Sequence, residues 1–119
     1  MTALELLVLI VPDLGLRSAL VGRLSLHGES LVTVPEIPGD AALDRLATTP
    51  ATLIVDARSV GTTLSAMRRD PRWGGIIVLA DRAAKTPPGK RFSIVERADA
   101  INRVSALLDG WRTPNLTVA

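Results

Sequence analysis

The hydrophobic residues of this chain fall into short unbroken runs, separated by stretches with a different period. Leu6-Leu7-Val8-Leu9-Ile10-Val11 is the first run, broken at once by Pro12-Asp13-Leu14-Gly15. A run this short and continuous predicts a strand buried on both faces, as in a parallel sheet. The period then changes. Leu16, Leu20, Leu24 and His27 lie on one face of a helix, and Gly28 supplies the stop.

The alternation continues along the chain. Residues 31–34 predict a second strand, and Pro35 and Pro38-Gly39 mark a loop. Asp40 is placed to cap a helix through Ala41, Ala42, Leu43 and Leu46 that stops near Pro50. Residues 52–56 predict a third strand that ends in the carboxylate of Asp56. Residues 61–69 carry Leu64 and Met67 at helical spacing, and Pro71 steers Asp70 out of the helical region. Residues 76–80 and 92–95 predict the fourth and fifth strands. Ile101, Val104, Leu108 and Trp111 mark the inner face of a last helix, with Asp99 near its start.

Strands alternating with helices predict an α/β fold: a parallel sheet covered on both faces, with right-handed crossovers. One connection departs from the series. Residues 81–91 carry Pro87-Pro88-Gly89 in their second half, leaving room for one helical turn at most, so the fourth helix is expected to be missing or reduced. Residues 1–112 are read as one domain, and 113–119 as a tail or the start of a linker.

Composition narrows the function classes. With 119 residues, 47% hydrophobic and 22% charged, the chain suits one domain with a real core and is not disordered. Cysteine is absent, which removes disulfides, thiolate metal sites and cysteine nucleophiles. The single histidine, His27, removes a multi-histidine metal site, and a Ser-His-Asp triad would have to use that one residue. Lys+Arg number 14 against Asp+Glu 12, a net charge of +2, with the cations spread among the acids. Aromatics make up only 3%: Trp73, Phe92 and Trp111. A nucleic-acid or membrane partner would call for a clustered basic face, so neither is expected. No apolar run is long enough to span a bilayer, and no basic segment precedes the first run, so a signal peptide is not expected. No G-x-G-x-x-G follows the first strand, and Pro87-Pro88-Gly89-Lys90 lacks the upstream glycine of a phosphate loop.

Ligands of open α/β sheets bind outside the carboxyl ends of the strands. The residues there are Pro12 and Asp13, Asp56, Ala80 and Asp81, and Glu96 and Arg97. Asp13 and Asp56 share one pocket if the first and third strands are neighbours.

This arrangement resembles the receiver domain of bacterial response regulators, over residues 6–111. Val8-Leu9-Ile10-Val11-Pro12-Asp13 looks like the family's acidic first motif with its leading acid replaced by proline, and Leu53-Ile54-Val55-Asp56 looks like the phosphoacceptor strand. The resemblance implies a flavodoxin-like five-stranded parallel sheet in the order 2-1-3-4-5. It implies Asp56 as phosphoacceptor. It implies Mg²⁺ held by Asp13, Asp56 and the backbone carbonyl of Arg58, since that ion takes hard oxygen ligands. A histidine kinase or other signalling protein is the implied partner, with a homodimer as a further option, in the bacterial cytoplasm.

Three family positions are altered. Pro12 removes one metal-organising acid, Ala80 stands where the family has Thr or Ser, and Glu96 stands where it has Lys. Moving Arg97 into the lysine's place takes a one-residue shift that would turn the inward side chains of the strand outward, so Glu96 is the expected occupant. The chain therefore reads as a degenerate receiver, not an enzyme, acting through protein contacts. The alternative is a small metal-dependent α/β enzyme or ligand-binding domain built on Asp13, Asp56 and Glu96.

Each site residue has a plainer reading beside this one. Asp56 is a phosphoacceptor or a solvated strand-end cap, and Asp13 a metal ligand or the N-cap of the next helix. Glu96 faces the two aspartates or points to solvent. Arg58 reads as an exposed loop arginine and Arg68-Arg69 as a solvated helix end. Trp111 reads as a lid on the core, and Trp73 as a partly exposed contact in the loop 70–75.

Overall fold

The computed structural model describes residues 6–26, 28, 30–35, 51–60, 64–82 and 91–112. The helix expected after Asp40, residues 83–90 of the reduced connection, His27 and the tail 113–119 lie outside them. Five strands are present: β1 (Leu6–Ile10), β2 (Ser30–Thr33), β3 (Ala51–Asp56), β4 (Trp73–Ala80) and β5 (Phe92–Glu96). They form one sheet in the order β2-β1-β3-β4-β5, with every pairing parallel. The hydrophobic pattern predicts the parallel α/β sheet, and its flavodoxin-like order is the one the receiver resemblance implies. The helices are α1 (Leu14–Leu26), α2 (Ala57–Val60), α3 (Leu64–Arg69) and α4 (Ala100–Arg112), the last preceded by a 3₁₀ turn at Arg97–Asp99.

Successive side chains of a strand point to opposite faces, so continuous apolar runs build two cores at once. Leu7, Leu9, Val11, Ile54, Ile77, Leu79 and Val95 face one layer, where Leu20 and Leu24 of α1 and Val104 and Leu108 of α4 cover them. Val8, Ile10, Leu53, Val55, Ile76, Val78 and Phe92 face the other, with Val60 of α2 and Met67 of α3. Of the helical stretch expected over 61–69, residues 64–69 form α3 and 61–63 lie outside the described residues, while α2 is a turn of helix ahead of it that the pattern does not indicate.

β4 begins three residues earlier than the sequence pattern indicates. Asp70 to Trp73 form a tight turn with Pro71 at its second position: the Trp73 amide donates to the Asp70 carbonyl at 3.1 Å. The Asp70 carboxylate accepts from the Arg72 guanidinium at 2.8 Å and from the Arg72 amide at 2.9 Å, which hold its carboxyl below the usual range. Ala51 pairs with Trp73 but Thr52 pairs with Gly75, so Gly74 is the extra residue of a bulge. Trp73 is buried in the second core, 8% exposed, and is not the surface contact expected of it. The bulge restores strand geometry immediately after the turn and carries its indole under the sheet.

Gly75 is required for a different reason. A Cβ built there would lie 2.8 Å from Cζ3 of Trp111. The indole of α4 therefore rests on bare backbone at the start of β4, while the Arg91 guanidinium donates to the Trp111 carbonyl at 2.8 Å. Gly75→Ala should cost about 1–3 kcal/mol through overpacking of a rigid ring. Urea unfolding of Gly75→Ala, Trp111→Leu and the double variant checks this. The double variant should be more stable than the sum of the single effects allows, because the smaller side chain removes the clash.

Candidate functional site

The carboxyl ends of β1, β3, β4 and β5 lie along one rim of the sheet, because all the strands run the same way. Asp56 is the last residue of β3, a central strand, and is only 3% exposed. A carboxylate so deeply buried requires compensation, and the structure supplies it from β5. Arg97 is the first residue after that strand. Its Nε donates to Asp56 Oδ2 at 2.7 Å and its Nη2 to Asp56 Oδ1 at 3.0 Å. The fork meets both carboxylate oxygens, the strongest form of the pair. The Arg58 amide adds a third bond, to Oδ1 at 2.9 Å.

The net charge balance at Asp56 follows from these contacts. Burial pushes the carboxyl up, but the Arg97 fork and the Arg58 amide outweigh it and hold the group below the usual aspartate range. Arg97 is held yet more firmly in its charged form, chiefly by Asp56. Its Nη1 also bonds Asp81 Oδ1, just past the end of β4. The Arg58 side chain approaches the same Asp81 oxygen at 3.5 Å, but both groups are about three-quarters exposed there, so that contact adds little.

Arg97 reaches Asp56 with the register of β5 intact. Phe92 and Val95 keep their places in the two cores. The objection to Arg97 in this position holds only inside a strand, where a one-residue slip reverses every side chain. Arg97 opens a 3₁₀ turn, and the turn frees its side chain to fold back over the rim. Glu96, by contrast, pairs with Ala80 at the outermost rung of the sheet and is exposed. The expected carboxylate beside Asp56 is therefore replaced by a guanidinium.

Asp13 serves as the N-cap of α1. Its Oδ1 accepts from the Leu16 amide at 2.8 Å, and its carbonyl accepts from the Arg17 amide at 2.9 Å. This capping is why α1 begins at Leu14, earlier than its apolar face suggests. Pro12 is exposed and Ala80 half-buried, and neither carries a polar side-chain atom to offer. Asp81 is the partner that sequence reasoning did not assign. It sits one residue past β4 as Arg97 sits one past β5, and the β4–β5 pairing makes those positions neighbours.

These contacts decide how well Mg²⁺ would fit. Octahedral coordination needs carboxylate oxygens turned to the ion. Both oxygens of Asp56 are already engaged by a cation, Asp13 Oδ1 is engaged in capping, and Glu96 is exposed. Among the described residues no group of three acids or other ligands is placed to hold a metal. The residues present do not fit the ion. Comparison with family models, with curated proteins and with solved structures found no match. No helix among the described residues is long and apolar enough to cross a membrane.

Two outcomes follow. The Asp56 carboxyl has a lowered value in the folded chain, so its contribution is complete above the unfolded value of about 3.9 and drains as the pH falls through the folded value. Urea midpoints measured from about pH 5 down to about pH 2 should therefore fall more steeply for the native chain than for Asp56→Asn. Asp13→Ala should cost about 1 kcal/mol from loss of the cap, seen in the same unfolding assay at neutral pH.

Proposed function

We propose that this chain is a receiver-like signalling module of a bacterial two-component or phosphorelay pathway that works by protein contact without phosphotransfer. The observation that carries the reading is Asp56. It occupies the carboxyl end of β3 in a 2-1-3-4-5 sheet, the place of an acceptor carboxylate, yet both its oxygens are bonded to Arg97. A nucleophilic carboxylate must present a lone pair to the phosphorus. Here the carboxylate is buried and its charge is already matched by the bonded guanidinium, which lowers its nucleophilicity in a site without a fitting metal.

The altered positions agree with that reading. Ala80 offers no hydroxyl to follow a phosphoryl group. Arg97 is a cation near the family lysine's place, but one committed to Asp56. The fold would then present its helices and loops to a histidine kinase, to another signalling protein or to a second copy, in the cytoplasm, independent of phosphate. The competing reading, a metal-dependent enzyme on Asp13, Asp56 and Glu96, needs three acids to converge, and none of the contacts above draws them together.

The test is intact mass after incubation with acetyl phosphate and Mg²⁺. The native chain should gain no phosphoryl group, with an authentic receiver as positive control. An adduct abolished in Asp56→Asn would overturn the phosphate-independent reading. Turnover of acetyl phosphate without an adduct, lost in the same variant, would favour the enzyme.

A further inference from the structure

The Asp56 rim differs from a metal site in one chemical respect: its positive charge is covalently part of the chain. We infer that the Arg97 guanidinium is the resident cation of this pocket, doing there what a divalent ion would do, so that the protein is metal-independent by construction. The inference deepens the receiver-like reading, and rests on it only for the expectation that a divalent ion belongs beside Asp56.

A cation at such a rim has two tasks. It neutralises a buried carboxylate, and it ties together strand ends that come from distant parts of the chain. Arg97 does both. Nε and Nη2 neutralise Asp56 on β3, Nη1 holds Asp81 after β4, and Nη2 also lies 3.4 Å from the Leu79 carbonyl of β4. One planar group from the end of β5 thus spans the tips of three adjacent strands. Its side chain is 17% exposed and that of Asp56 4%, so water screens the pair poorly.

The same geometry excludes a second cation. A divalent ion at Asp56 would have to compete with two charge-assisted bonds, and it would sit against a like-charged guanidinium that also bonds Asp81. Lysine would be a weaker guard. Its ammonium is a compact point charge that cannot meet both carboxylate oxygens in parallel. The Arg58 amide lies within hydrogen-bond distance of Asp56 Oδ1 independently of the side chains, so the carboxylate keeps one anchor when Arg97 is truncated.

The test uses Mn²⁺ and the full chain, with binding read from loss of the free-ion electron paramagnetic resonance signal and the fold monitored by circular dichroism. The native protein should bind Mn²⁺ no better than Asp56→Asn. Arg97→Ala and Arg97→Gln should bind it at least about tenfold more tightly, and a second change, Asp56→Asn, should abolish that gain. Native Mn²⁺ binding that depends on Asp56 would overturn the inference. So would folded Arg97 variants that bind no better than the native chain. If both variants unfold, restoration of their fold by Mn²⁺ supports the inference, failure to restore it counts against, and the native comparison with Asp56→Asn remains decisive. The acetyl phosphate result is a separate readout: an adduct there would sink the phosphate-independent reading and leave this inference to stand or fall on Mn²⁺ alone.

Discussion

A carboxylate buried at the end of a central strand is the constraint around which the rim of this sheet is organised. Left alone, Asp56 would stay charged only at a prohibitive desolvation cost or would take up a proton. Three donors instead meet its two oxygens, all of them from residues fixed by the backbone that follows β3 or β5. Such a pair is not a large source of net stability, since desolvating both ions offsets much of their attraction. Removing one member alone, however, costs about 3–5 kcal/mol in fully buried cases. The pair therefore acts as a condition on the fold: β5 must end where it does, and the chain must turn sharply there, or β3 is left with an unmatched charge.

That condition propagates into the two cores. The 3₁₀ turn that frees Arg97 also starts α4, whose Val104 and Leu108 close the layer over Leu7, Ile54 and Ile77. At its far end α4 lays Trp111 on Gly75, at the opening of β4. The last helix is thus fixed at its amino end through the turn next to the charged rim, and at its carboxyl end through an indole on bare backbone. β4 is anchored by both, at Leu79 beside the guanidinium and at Gly75 under the ring.

Much of the architecture is legible in the sequence. Short unbroken apolar runs bounded by turn residues read as strands buried on both sides, and helical stretches between them favour parallel crossovers. The strand order follows once Asp13 and Asp56 are matched to the receiver pattern, and the sheet bears that order out. The early start of β4 is hidden because Gly74-Gly75 reads as a breaker, whereas one glycine makes a bulge and the other makes room for Trp111. Trp73 is misplaced for the same reason, since a loop residue and the first residue of a strand look alike when a turn and a bulge adjoin. Arg97 is hidden by a rule applied one residue too far. Side-chain alternation governs positions within a strand, and it lapses once the backbone turns.

The departures from the receiver pattern also change meaning when charge is followed instead of residue type. Set against the receiver pattern, Pro12, Ala80 and Glu96 each read singly as a mismatch: no acid, no hydroxyl and no cation at those positions. In the folded rim a cation nonetheless stands beside Asp56, supplied by Arg97, the residue after Glu96. A long side chain bearing a planar fork can satisfy a buried aspartate by itself, with Asp81 balancing its third face. The carboxylate then joins strand ends through its bonds to Arg97 without needing any other role. A buried aspartate at the end of this central strand is then accounted for by electrostatic closure of the sheet before any question of catalysis.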